Sequence, residues 1–202
     1  MNIEAVIFDL GGVLIDLDYQ RTIRAFKALG MAKFEEVYSQ QAQVELFNAF
    51  ETGKVSPQFF INELLPFLEP GTTANQVVHA WNAMIGPVRQ QKIELLQRLQ
   101  ERFPLFLLSN TNELHVPVVL REWNKVTPRP FATYFTKVYL SHEIGMRKPN
   151  EEIFHFVCLE NGLDPSKTLF IDDSEQHIIG AKKAGLLTHH LLDAESLYSL
   201  FS

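Results

Sequence analysis

The hydrophobic positions of the chain change rhythm along its length. Near the start, Ala5-Val6-Ile7-Phe8 is a continuous apolar run that stops at Asp9 and is followed at once by Gly11-Gly12. A short run that is apolar at every position predicts a strand buried on both faces, as in a parallel sheet. From about residue 16 to residue 86 the spacing turns helical. Tyr19, Ile23 and Phe26 fall at i, i+4 and i+7, with Gly30 where that helix should end, and Val44, Phe47 and Phe50 repeat the pattern. Ser56-Pro57 predicts a helix start with Ser as N-cap and Pro at the first position, and Pro66 predicts its end. Thr73 and Gln76 have the spacing of a capping box ahead of Val77, Trp81 and Met84. No strand is predicted in this stretch, and Gly86-Pro87 closes it.

Beyond residue 87, predicted helices and strands alternate. Ile93, Leu96, Leu99 and Phe103 mark a helix, 105–108 a strand and 137–140 another. Ile153, Phe156 and Val157 lie on a helix that stops near Gly162, and Pro149 is placed to open it. Residues 169–171 form a strand, 178–184 a helix ending at Gly185, and 186–192 a last strand. Such alternation predicts βαβ units and a parallel sheet. The expected architecture is therefore an α/β core, residues 1–15 and 87–202, interrupted by an all-helical insertion at 16–86.

Composition narrows the field. The chain has 202 residues, of which 46% are hydrophobic and 21% charged, enough apolar material to build a core without cross-links. Its net charge of −6 argues against nonspecific binding to nucleic acid or to anionic membranes. A single cysteine, Cys158, excludes an internal disulfide and a multi-cysteine zinc site, and its place beside Phe154 and Val157 suggests a buried, inert thiol. No basic residue precedes the first apolar run, so no signal peptide is read there. No apolar stretch approaches the roughly 20 residues needed to span a bilayer. A cytoplasmic protein is expected.

Chemistry gathers at three predicted strand ends. Asp9 follows the first strand, Ser109-Asn110-Thr111 follows 105–108, and Asp172-Asp173 follows 169–171. Open α/β sheets bind ligands beyond the carboxyl ends of their strands. Carboxylates from two strands suit a hard cation such as Mg²⁺, with Asp9 and Asp173 as the natural pair. Lys148, within Gly145-Met146-Arg147-Lys148-Pro149, could neutralise a phosphate.

Phe8-Asp9-Leu10-Gly11-Gly12-Val13-Leu14, Leu108-Ser109-Asn110, Lys148-Pro149 and Ile171-Asp172-Asp173 resemble, in order and spacing, the four motifs of the haloacid dehalogenase-like superfamily. The insertion at 16–86 resembles that family's helical cap. Ser109-Asn110-Thr111-Asn112 with His115, and the Gly145–Pro149 segment, look like the branch containing bacterial glucose-1-phosphate phosphatase. The resemblance implies a Rossmann-like core and a Mg²⁺-dependent phosphatase acting on a small phosphorylated substrate, with sugar 1-phosphates favoured. Asp9 would be the nucleophile, forming an aspartyl-phosphate. Ser109 and the Asn110 amide would hold phosphoryl oxygens, and Lys148 would pair with phosphate and nucleophile. Asp9, Asp173 and the Gly11 carbonyl would ligate the metal, with Asp172 as ligand or neighbour.

The match departs from the family at two positions. Gly11 stands where family phosphatases usually carry a second Asp as general acid and base, a function worth about 10²–10⁴-fold. Asp16 and Asp18 are candidate substitutes, and an anomeric leaving group would suffer least from the loss. His177 stands where Asp or Asn is common and is expected to orient a loop. Arg147 reads as a structural or surface residue, and His189 and His190 as structural, pointing to opposite faces of a strand. His115 and His142 divide evenly between supporting the site and supporting the fold. Two rival readings are a hydrolytic dehalogenase, which needs no metal and so leaves Asp172-Asp173 unexplained, and a binding or regulatory module that kept the metal site but lost turnover.

Overall fold

The computed structural model describes residues 2–31, 41–193 and 196–201. Residues 32–40 of the expected helical insertion, and the Val44 side chain, lie outside the described residues. Strands β1 (Ala5–Phe8), β4 (Leu105–Ser109), β5 (Lys137–Leu140), β6 (Thr168–Asp172) and β7 (Leu187–His190) form one sheet in the order β5-β4-β1-β6-β7. Every pairing is parallel, and Phe8 lies level with Leu107 on one side and Ile171 on the other. All four residues of β1 are buried, as expected of a strand covered on both faces.

The two-residue alternation of the strands divides the interior into two cores. Val6, Phe8, Leu105, Leu107, Leu169 and Ile171 face one way. Ala5, Ile7, Phe106, Leu108 and Phe170 face the other. Among the helices covering the sheet are α5 (Gln90–Gln100), α6 (Val116–Asn124), α8 (Glu151–Glu160), α9 (Glu175–Lys183) and the short α7 (Ser141–Ile144) and α10 (Ser196–Ser199). The helix after Lys148 begins at Glu151 with Asn150 as its cap, so Pro149 lies ahead of it and does not open it.

Between β1 and β4 lie helices α1 (Tyr19–Ala28), α2 (Gln41–Glu51), α3 (Pro57–Leu64) and α4 (Ala74–Asn82). The N-caps of α3 and α4 are the ones the sequence predicts. Ser56 accepts from the Phe59 amide at 3.2 Å, and Thr73 and Gln76 form a reciprocal capping box. These helices share an aromatic core of their own, in which Phe50 stacks on Phe60 at 4.2 Å and Phe47 on Trp81 at 5.3 Å. One expectation fails here. Ile15–Leu17 (β2) and Ile85–Val88 (β3) pair as an antiparallel ribbon where no strand is predicted. Two strands of three and four residues are too short to show an alternation, and Gly86-Pro87 reads as punctuation. Gly86 is needed inside the ribbon, because a Cβ there would sit 2.8 Å from the Asp16 carbonyl oxygen.

Candidate active site

Because β1, β4 and β6 are parallel and in register, their carboxyl ends deliver Asp9, Ser109 and Asp172-Asp173 to one edge of the sheet. The Asp9 amide donates to the Ile171 carbonyl at 2.9 Å, which extends the β1–β6 pairing to the first acidic residue. Gly12 then turns the chain back with φ +70°. Any Cβ at that position would stand 2.1 Å from Asp173 Oδ2, so the loop after β1 and the end of β6 touch only because position 12 is glycine.

Lys148 is fully buried, and its Nζ donates to Asp9 Oδ1 and Asp172 Oδ2, each at 2.7 Å. Asn110 fixes the lysine's backbone from both sides: its Nδ2 donates to the Lys148 carbonyl at 2.9 Å and its Oδ1 accepts from the Lys148 amide at 3.0 Å. Asp172 is saturated within the fold. Besides Lys148 it accepts from the Ser174 amide at 2.8 Å and pairs with His177 Nδ1 at 3.0 Å. Asp173, by contrast, is exposed.

The electrostatics follow from burial and from the shared lysine. Burial pushes the Asp9 carboxyl up to about 7, against the pull of Lys148. Burial also opposes charge on Asp172, but Lys148 and His177 outweigh it and hold the carboxyl at about 2. For Lys148, burial favours the neutral amine, yet Asp9 and Asp172 together raise its pKa above the ordinary value. Asp173 is raised by burial and by its neighbour Asp172.

One oxygen from each of Asp9, Asp172 and Asp173 lies within 4.8 Å of the others. Three carboxylates around one lysine leave excess negative charge on hard oxygen donors, which is the chemistry a divalent cation of the Mg²⁺ type requires. Of these groups Asp9 and Asp173 open into a cavity of about 680 Å³ that Gly11, Ser109 and Asn110 also line, together with side chains of the inserted helices, while Asp172 and Lys148 lie buried behind it.

Every residue singled out at the strand ends thus meets at one site, and Lys148 joins it from the loop before α8. One expectation does not hold. Asp16 and Asp18 are not among the residues lining the cavity: Asp16 pairs with Arg89 at 3.0 Å, and Asp18 caps α1 by accepting from the Gln20 amide. Arg147, read as a structural or surface residue, lines the cavity, and its guanidinium meets Glu51, at the end of α2, at 2.9 Å. Glu51 carries no sequence signal, being one acidic position at the end of an amphipathic helix. The space beside Gly11 is filled: a Cβ there would lie 2.5 Å from Leu17 Cδ1.

The histidines part company. His177 holds Asp172, His190 Nε2 meets the Asp173 carbonyl at 3.0 Å, and His115 lines the cavity. His142 lends its backbone to the fold, for its carbonyl oxygen would lie 2.1 Å from a Cβ at Gly53, just past α2. Cys158 is buried, and burial pushes its thiol up to about 11.

Comparison with known proteins places this geometry. A D-ribitol-5-phosphate phosphatase of Bacteroides thetaiotaomicron is 31% identical over 186 residues, covering 92% of this chain and 90% of the relative. The crystal structure of a HAD family enzyme from the same organism superposes with a TM-score of 0.93 at 34% identity, over 100% of both chains. A structure of that enzyme in complex with magnesium and inorganic phosphate matches with a TM-score of 0.85 at 35% identity, over 93% of each chain. Residues 3–185 match the sequence model of the haloacid dehalogenase-like hydrolases, and it is to that family that the chain belongs.

Proposed function

We propose that the protein is a Mg²⁺-dependent phosphatase of small hydroxylated metabolites, namely sugar or sugar-alcohol phosphates. The observation that carries this reading is Lys148, a buried cation shared at 2.7 Å between carboxylates of two strands and set beside a third, open one. Such a site suits a phosphate dianion together with a hard cation. Asp9 attacks phosphorus and the bond to the ester oxygen breaks, leaving an aspartyl-phosphate. Water then attacks phosphorus and releases inorganic phosphate and the free carboxylate. Ser109 and the Asn110 amide hold the phosphoryl oxygens, and Lys148 orients Asp9 and offsets the charge of the transferring group. Asp9, Asp173 and the Gly11 carbonyl would hold Mg²⁺, with Asp172 within reach and already fixing Lys148. The ion, when bound, supplies positive charge against the phosphoryl oxygens. Residues 16–86 act as a cap that closes over the ester and excludes bulk water.

That the 31% identical relative is a D-ribitol-5-phosphate phosphatase, and that the related enzyme forms a complex with magnesium and inorganic phosphate, support this reading. Within the class, the relative's substrate is the ester of a primary alcohol, whereas glycine at position 11 favours sugar 1-phosphates, whose anomeric oxygen leaves with least help. One experiment addresses both levels: kcat/KM across phosphate esters of graded leaving-group pKa, with Mg²⁺ and with EDTA. Turnover is expected with Mg²⁺ alone, and Asp9→Asn should lower it by roughly 10⁴-fold or more. A steep dependence on leaving-group acidity would favour 1-phosphates, while a flat series with chemistry rate-limiting would favour terminal esters and an acid elsewhere. Failure to hydrolyse any ester with metal present would sink the reading.

A further inference from the structure

Much of the remaining cavity lining is apolar, with Ile23, Met84, Ile85 and Val119 among its side chains. His115, just ahead of α6, interrupts that lining, and its ring is fixed by two consecutive residues of α4. It stacks on Trp81, with centroids 5.2 Å apart and planes 7° from parallel, and its Nδ1 lies 2.7 Å from Asn82 Oδ1. An amide oxygen only accepts, so Nδ1 carries the hydrogen and Nε2 is left with a bare lone pair. From the core side, the His115 amide is tied to Asn112 Oδ1 at 3.1 Å. Burial holds the ring neutral, with its pKa down at about 3. No described residue donates to Nε2, and that nitrogen is not among the buried polar atoms sealed from contact. It is a reachable acceptor in largely apolar surroundings.

We propose that His115 is a specificity-determining residue whose Nε2 accepts a hydrogen bond from a hydroxyl on the carbon chain of the phosphate ester, selecting sugar and sugar-alcohol phosphates over alkyl phosphates of equal length. The inference rests on the phosphatase reading above and names what the cavity recognises beyond phosphate. An ester without that hydroxyl leaves the acceptor unmatched, and sites built to bond a hydroxyl discriminate strongly against its absence. The same geometry leaves Nε2 with no proton to give, so His115 does not stand in for the missing proton donor.

The test measures kcat/KM of the Mg²⁺-loaded enzyme on five- and six-carbon sugar and sugar-alcohol phosphates, on pentyl and hexyl phosphate, and on p-nitrophenyl phosphate. The wild type should prefer the best hydroxylated ester over the alkyl ester of its length by roughly 10–100-fold. His115→Phe, which keeps a ring to stack on Trp81 but no acceptor, should bring that preference to within about threefold of unity. The preference is a ratio on one enzyme sample, so a variant that folds poorly still reads it out. A preference that survives His115→Phe, or an equal loss on all esters, overturns the proposal while the phosphatase reading stands. Absence of turnover on every ester, p-nitrophenyl phosphate included, overturns both.

Discussion

Burial drives His115 and Asp9 alike toward their neutral forms, but with opposite consequences for stability. For His115 the folded-state pKa of about 3 lies below the ordinary 6.5. The unfolded chain therefore takes up a proton as pH falls below 6.5, and the folded chain does not until near 3. The stability this contributes is full above 6.5 and is lost as pH falls toward 3. At pH 5 the loss is on the order of 2 kcal/mol. Urea unfolding of wild type and His115→Gln at pH 7 and pH 5 should show their difference shrinking by that amount at the lower pH. A constant difference would mean that the folded ring titrates normally. Asp9, Ser109, Lys148 and Asp173 are legible in the sequence because each ends a strand or sits in a short fixed motif. Glu51, which meets Arg147 across the cavity, is not, because a contact between residues so far apart in the chain leaves no local pattern.

Helix α9 shows how an element can act on the site through backbone alone. Gly180 sits inside the helix, where alanine is ordinarily favoured by about 1 kcal/mol. A Cβ there, however, would lie 2.1 Å from the carbonyl oxygen of Pro149, the residue after Lys148. Gly180→Ala is therefore expected to lower stability by about 1–3 kcal/mol and to reduce kcat/KM by displacing the lysine's loop. Thermal unfolding and steady-state kinetics measure the two effects. Gly162→Ala, with nothing near its Cβ but a φ of +63°, is the comparison that should cost stability and spare activity. The buried strands and helices such as α1, α3, α4, α5, α8 and α9 are readable from periodicity and from caps such as Ser56 and Thr73, whereas α6 is not among the predicted helices. The β2–β3 ribbon is not, because its pairing joins residues some seventy positions apart through strands too short to carry a rhythm.

The acidic edge ties ligand binding to the stability of the whole chain. Burial, and the neighbouring Asp172 carboxylate, push both Asp173 and Asp9 above ordinary carboxylate values. Mg²⁺ binding only to the folded state should raise the unfolding temperature, by about 2.7 kcal/mol of added stability at a hundred times its Kd, and EDTA should reverse the shift. In Asp173→Asn most of the shift should vanish. A Mg²⁺ response unchanged in that variant would place the ion elsewhere. The parallel sheet that assembles this edge also dictates a history. β1 leaves the ribosome ahead of both its neighbours yet takes the central place, with β4 supplied from mid-chain and β6 from near the end. Until they arrive, Ala5–Phe8 is a fully apolar strand with two unpaired edges, the kind of segment that recruits foreign strands. β1, the strand that leads into Asp9, thus waits longest of the five for its full set of partners, and whatever shelters it before β4 and β6 emerge lies outside its own sheet.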